Sequence, residues 1–423
     1  MTAASVLETI DVSALRVGMY VHLDLGWLSH PFPLSNFRIA SEEQIATIRG
    51  LGVSKVRWSP EASDPAAGAP ASASASAAAP EVAVVSAEAA ERAEHRRHLA
   101  QQRADLLLAE RQFAEAAREF KQASDLVPIR PQDAGRQAGA LSRALVDKML
   151  GEHDVCIRLL TEAAGDKASA HALNVAIISL LMGRTFGLGD ADMMDLGVGA
   201  LMHDIGKIDL PGRVRHREDH FSVAEQRFYE EHVGHGVGHA RKMQLSPGAT
   251  LVIAQHHEHA DGSGFPLKLN TDRMTALARV VALVNRYDNL CNPHVAARAL
   301  TPHESLSLLF AQAKSKFDSA ILGAFIKMMG VYPPGSAVQL TDDRYALVVG
   351  VNSSRPLKPR VLVHDPKVPR DEALLLDLET TEGIGIRRSL RPQQLPETTQ
   401  RYLDPRPRVA YFFEPVRDPG APQ

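Results

Sequence analysis

Met194-Asp-Leu-Gly-Val-Gly-Ala-Leu-Met-His-Asp-Ile-Gly-Lys207 reads as a helix from Met194 to Ile205 that carries an adjacent His203-Asp204 pair. A second stretch answers it, His256-His-Glu-His-Ala-Asp-Gly-Ser-Gly-Phe-Pro266. Ten of the 18 histidines fall between His171 and His259. A structural core does not account for that density, because both nitrogens of a buried imidazole need partners. Lys207 follows His203 by four residues and Asp204 by three, a spacing that puts it on their face of a helix.

A metal that activates water for phosphodiester cleavage needs histidine and carboxylate ligands with room for water and substrate. His171, His203, Asp204, His232, His256 and His257 make a reasonable ligand set. Their wide spacing suits one ligand cluster per helix of a bundle, with side chains converging inward. Asp204, with two oxygens, is the natural bridge between two ions ~3.5–4 Å apart. Lys207 is then placed to reach a bound phosphate. His216, His220, His235, His239 and His259 read as solvated surface residues. Gly262-Ser-Gly264 lets backbone approach a ligand closely. Phe265 either stacks on a base or packs under its own loop.

Composition bounds the rest. A chain of 423 residues predicts roughly two to four domains. A net charge of −3 supplies no strong field toward nucleic acid or an anionic membrane. Two cysteines, Cys156 and Cys291, cannot build a disulfide framework and point to a reducing compartment. Met1–Asp11 lacks the basic and apolar regions of a secretory signal. The longest apolar run, Ala172–Met182, is about half the ~20 residues of a membrane span. A cytoplasmic protein without membrane insertion is expected.

Residues 1–59 read as a small α/β domain. In it Leu15–Leu25 alternates around Gly18, Ser41 caps a helix, and Gly52–Trp58 forms a strand. Residues 60–85, rich in Ala, Ser and Pro, bury too little surface to fold and read as a disordered linker. Residues 86–165 read as helical. They open with one long amphipathic helix, Ser86 to about Asp125, with Leu99, Leu106, Phe113, Ala117 and Phe120 on its apolar face. That face either dimerises the chain or packs on its own domain. The helical pattern continues through residues 166–335, the expected catalytic domain. Short alternating segments over 336–423, among them Ala337–Leu340, Tyr345–Val349, Arg360–Val363 and Leu374–Leu378, predict a β-rich tail. The fold expected is mainly α: a helical-bundle metal domain between a small α/β domain and a small β-rich region.

The region from His171 to about Leu340 resembles the HD-GYP domain of bacterial cyclic di-GMP phosphodiesterases. The residues that carry the resemblance are His171-Ala-Leu-Asn-Val-Ala, His203-Asp-Ile-Gly-Lys207, His232 ahead of Gly236, His256-His-Glu, Asp261-Gly-Ser-Gly-Phe-Pro266 and Tyr332-Pro-Pro-Gly-Ser336. Residues 1–59 are similar to a domain of unknown function often found ahead of such domains. The resemblance implies an HD-type bundle and metal ligands at His171, His203, Asp204, His232, His256 and His257. It implies a phosphate contact at Lys207 and a substrate loop at Gly262, Gly264, Phe265 and Pro266, with Phe265 replacing the family tyrosine.

Three departures stand out. Asn285 occupies the position of a ligand aspartate and brings an amide oxygen without charge. Lys167 replaces a glutamate that serves a third ion in some members, which favours two ions. Asn289-Leu-Cys-Asn-Pro-His294 replaces an Arg-Pro-Tyr-type substrate segment. The resemblance therefore implies two divalent transition-metal ions, Fe or Mn, and hydrolysis of cyclic di-GMP to pGpG or GMP. The rival is a degenerate module that binds cyclic di-GMP or a partner signalling protein without turnover. An HD-type hydrolase of another nucleotide is a third reading, which leaves His256-His257 and the Gly262–Pro266 turn unexplained.

Overall fold

Ser41 begins the first helix as its sequence asks, its hydroxyl accepting the Gln44 N–H at 3.4 Å. The computed structural model describes residues 7–25, 30, 32, 36–64, 87–150, 155–161, 165–216, 220–312, 315–352 and 355–415. The chain divides into two units, residues 1–98 and 99–423.

In the first unit, β1 (Glu8–Asp11), β2 (Tyr20–His22), β3 (Asn36–Arg38), α1 (Glu42–Gly50) and β4 (Lys55–Ser59) follow in order. The strands form one antiparallel sheet, ordered β1-β4-β2-β3. Ile45 and Ile48 of α1 share a core with Val21, Ile39 and Val56. The Leu15–Leu25 alternation yields strand only after Gly18. One expectation needs correction: residues 60–64 are not linker. The Asp64 N–H donates to the Gly18 carbonyl at 2.9 Å, and the Ser63 hydroxyl accepts the Tyr20 N–H at 2.8 Å. The rest of the expected linker, 65–85, lies outside the described residues.

The long helix α2 (Ala87–Leu126) leads into the second unit. Leu99, Phe113, Ala117 and Phe120 are buried there, and Phe113 meets the Phe412 ring edge-on at 6.3 Å. Its apolar face is thus covered by its own chain, the second of the two alternatives. Then come α3 (Pro131–Met149), β5 (Val155–Leu159), α4 (Lys167–Thr185), α5 (Asp190–Met202), α6 (Val223–Lys242), α7 (Pro247–Gln255), α8 (Ala276–Cys291), α9 (Pro302–Gln312) and α10 (Ser319–Met329). Helix α4 is buried nearly all round from Ala172 to Gly183, as befits the centre of a bundle. It packs on α5 and α8; α5 also meets α3 and α7, and α6 lies against α7.

β6 (Ala337–Leu340), β7 (Tyr345–Asn352), β8 (Arg360–Val363), β9 (Leu375–Asp377), β10 (Ile386–Leu390), α11 (Glu397–Leu403) and β11 (Tyr411–Pro415) complete the chain. The β-rich C-terminal region is as expected, and one sequence expectation fails beside it: residues 155–159, expected as helix, are strand and join that sheet. β5 lies between β7 and β11 in a seven-stranded antiparallel sheet, with Val155 opposite Pro415 and Leu159 opposite Tyr411. Val-Cys-Ile-Arg-Leu is a short apolar run, which periodicity alone does not separate from buried helix. No helix among the described residues is long and apolar enough to cross a membrane.

Candidate metal centre

The His-Asp pair sits at a helix end rather than on a helix. Helix α5 starts four residues before the expected Met194 and stops at Met202, leaving His203 as its C-cap. Asp204 precedes a 3-10 turn, Ile205–Asp209, that carries Lys207. His256 similarly caps α7, with His257 just beyond it. His171 and His232 stand within α4 and α6. Ending two helices at the ligands lets adjacent side chains, His203-Asp204 and His256-His257, turn into one space. Residues adjacent within a helix do not face each other.

Backbone carbonyls orient three of the rings. His203 Nδ1 donates to the Ala200 carbonyl at 2.7 Å and His256 Nδ1 to that of Ile253 at 2.8 Å; His232 Nδ1 donates to the Tyr229 carbonyl. A carbonyl only accepts, so Nδ1 carries the proton and Nε2 presents a lone pair. His171 is oriented by a carboxylate instead, with Nδ1 2.6 Å from Asp288 Oδ2. This carbonyl- or carboxylate-backed imidazole is the usual arrangement behind a metal. Burial pushes the His232 imidazole down to about 3, and those of His203 and His257 well below 6.5. These rings are neutral and available as ligands.

The Nε2 atoms converge in pairs, His171 with His203 at 3.1 Å and His232 with His256 at 3.4 Å. Two lone pairs facing each other do not bond. Asp204 lies between the pairs, Oδ2 3.6 and 3.5 Å from Nε2 of His171 and His203, and Oδ1 3.5 Å from Nε2 of both His232 and His256. Oδ1 is buried without a hydrogen-bond partner. Facing lone pairs and an orphaned carboxylate oxygen are what a cation would satisfy. Two potential ligand groups share Asp204: His171, His203 and Asp204, and Asp204, His232, His256 and His257. The donors thus fit metal binding, with Asp204 common to both groups. Burial would raise the Asp204 carboxyl, but Lys207 and His203 outweigh it and hold it well below 3.8. Lys207 Nζ is 2.6 Å from Asp204 Oδ2 and 5.4 Å from the centre of the Tyr229 ring.

The expected substrate loop turns largely onto its own chain. A Cβ on Gly264 would lie 2.4 to 2.5 Å from the His259 nitrogen, Glu258 Cα and the His257 oxygen. The close approach that this glycine permits is therefore to the His257–His259 backbone. Phe265 stacks on His257, centroids 4.4 Å apart, and meets Tyr229 and His232 edge-on. These contacts leave Phe265 half-buried. Gly262 is half-buried and Pro266 exposed at the outer part of the loop. Asn285 is buried in α8, its amide oxygen accepting from Asn289 Nδ2 at 2.6 Å.

Several residues escaped sequence reasoning. Fully buried Glu258 accepts the Leu267 and Leu269 N–H groups at 2.7 and 2.8 Å and pins the loop. Asp288, Asn174 and Tyr229 support the ligands without touching each other in sequence, and only the i−3 spacing of Tyr229 to His232 was readable. His239, expected at the surface, is buried with Nε2 2.7 Å from Asp209 Oδ2. His216, also expected there, stacks on His294 at 4.1 Å; burial is the largest cause lowering it to about 4.

Comparison with known proteins adds names. Residues 7–135 match a domain of unknown function (DUF3391), and residues 154–321 match the HD domain. Over 372 residues the chain is 27% identical to a cyclic di-GMP phosphodiesterase of Pseudomonas aeruginosa, covering 84% of this chain and 85% of that protein. A cyclic di-GMP phosphodiesterase of Borreliella burgdorferi is 22% identical over 235 residues, 55% of this chain and 62% of the relative. A 3′3′-cGAMP-specific phosphodiesterase of Vibrio cholerae is 26% identical over 176 residues, 41% of this chain and 38% of the relative.

Proposed function

We propose that this chain, whose residues 154–321 match the HD domain, is an HD-GYP-type metal-dependent phosphodiesterase cleaving cyclic di-GMP to pGpG or GMP. The observation that carries the reading is Asp204, one oxygen directed at each of two pairs of imidazole nitrogens. His171, His203 and Asp204 would hold one divalent ion, and Asp204, His232, His256 and His257 the other, with Fe or Mn suited to such donors. Asn285 would join them only by releasing its amide oxygen from Asn289. Bound there, such ions lower the pKa of water toward neutrality and polarise a phosphoryl oxygen.

The chain's own groups supply the rest. Asp204 lies between both pairs of imidazoles, and its ion pair with Lys207 keeps an ammonium beside the place a phosphate would take. Phe265, backed by His257, together with Gly262, Gly264 and Pro266, would flank the substrate from the loop that Glu258 anchors. A second reading, binding of cyclic di-GMP or a partner protein without turnover, is favoured by the uncharged Asn285.

The deciding experiment is hydrolysis of cyclic di-GMP, with 3′3′-cGAMP alongside, by anaerobically prepared protein whose metal content is measured on the same sample. Turnover of cyclic di-GMP with about two ions per chain is expected. Metal without turnover of either dinucleotide would shift the assignment to the binding module, and faster cleavage of 3′3′-cGAMP would change the substrate.

A further inference from the structure

Asp288 is a fully buried carboxylate, and each of its oxygens is used. Oδ2 receives His171 Nδ1 at 2.6 Å. Oδ1 receives two amide groups, Asn174 Nδ2 at 2.8 Å and Asn292 Nδ2 at 2.9 Å. A buried carboxylate needs such donors to remain ionised.

The same two asparagines grip the segment that enters β11. Asn174 Nδ2 also donates to the Val409 carbonyl at 3.0 Å, and its Oδ1 accepts the Tyr411 N–H at 3.0 Å. Asn292 Nδ2 donates to the Val409 carbonyl at 2.9 Å, and its Oδ1 accepts the Val409 N–H at 2.9 Å. Each amide is thereby satisfied on both ends, with one orientation allowed. The Tyr411 hydroxyl adds a contact to Tyr287 at 3.1 Å, one residue before Asp288. Residues 409–411 thus supply the backbone groups that fix two amides, the amides fix a carboxylate, and the carboxylate fixes a candidate metal ligand.

We infer that Asn174 and Asn292 are positioning residues through which the segment Val409–Tyr411 sets the orientation and proton placement of His171. Asn292 lies in the segment that replaces the Arg-Pro-Tyr-type substrate segment, and its amide is committed to this linkage. A shift of the β11 segment would withdraw the acceptor and donor of both amides at once, leaving Asp288 under-satisfied and His171 free to turn. The metal consequence rests on the reading proposed above; the linkage itself does not.

The test uses the full chain. Mn2+ affinity is measured for Asn174→Ala and Asn292→Ala, each alone and in an Asp288→Ala background. Supporting groups behind a metal ligand typically contribute 10–100-fold in affinity, and a loss of about tenfold is expected for each single variant. No further loss is expected when Asp288 is already gone. Equal losses in both backgrounds, or a lower melting temperature with unchanged Mn2+ affinity, would overturn the inference. Asn292 is only half-buried, so its variant keeps the test open if Asn174→Ala does not fold. The metal-free protein supplies an independent readout in the imidazole 15N and 1H signals of His171. A protected Nδ1 proton is expected in the parent chain, and its loss in Asn292→Ala. An unchanged signal there overturns the linkage even if no form of the protein takes up Mn2+, which would instead count against the phosphodiesterase reading.

Discussion

Gly206 and His232 are in backbone contact: a Cβ placed on Gly206 would stand 1.9 Å from the His232 carbonyl oxygen. The 3-10 turn bearing Lys207 is pressed onto α6 at this point, and only a hydrogen fits. Gly206→Ala must therefore separate the turn from the helix. Overpacking of this kind costs about 3 kcal/mol. A lowered melting temperature together with weaker metal binding is expected, by calorimetry and metal titration. A parent-like melting temperature would contradict the packing described.

His203→Ala combined with Asp204→Ala removes a ligand from one pair and the shared carboxylate. Bound metal and dinucleotide hydrolysis should both vanish, while circular dichroism keeps its helical signal. Retained hydrolysis in the double variant would take this centre out of the chemistry.

Asn285→Asp preserves the oxygen that Asn289 now donates to and adds a charge. If residue 285 faces an ion, metal content or hydrolysis rate should rise, on the order of tenfold for a supporting or direct ligand. Identical metal content and rate in both proteins would show that the residue belongs to the scaffold of α8.

Glu258→Ala leaves the Leu267 and Leu269 N–H groups without their acceptor. Hydrogen bonds to a charged group contribute ~1.5–3 kcal/mol each, so a loss of several kcal/mol is expected, read by urea denaturation. Hydrogen exchange should quicken at residues 267 and 269 first.

His216 is lowered from 6.5 to about 4 in the folded chain, chiefly by burial and then by His294. Between those values the unfolded chain takes up a proton that the folded chain refuses, so folding weakens as pH falls from 6.5 toward 4. Above 6.5 this contribution is constant. In chelator-treated protein, His216→Gln should show a shallower loss of urea resistance between pH 6.5 and 4 than its parent. Parallel curves would place His216 in ordinary solvent.

The candidate ligands are legible because their chemistry is unusual: adjacent His-Asp and His-His pairs have few other uses, and the structure gathers His171, His203, Asp204, His232, His256 and His257 in one place. Helix ends were less legible, because nothing in Met194–Ile205 marks a stop at Met202; the ligands themselves form the cap. β5 was invisible for a different reason. Five apolar-rich residues become strand only when β7 and β11 arrive from roughly two hundred residues away. The network around Asp288 was hidden likewise, since asparagines at 174 and 292 acquire meaning only beside the backbone of Val409.

The distance between Asn174 and Val409 also has a temporal side. The two are 235 residues apart in the chain. At about 5–20 residues per second of synthesis, Val409 leaves the ribosome on the order of ten to fifty seconds after Asn174. Until then Asn174 lacks the backbone groups of residues 409–411, and β5 is an unpaired edge on the side that β11 will cover. Such edges invite pairing with other chains. Completion of this part of the sheet therefore waits on β11, and the time for which β5 stands uncovered is set by the speed of translation.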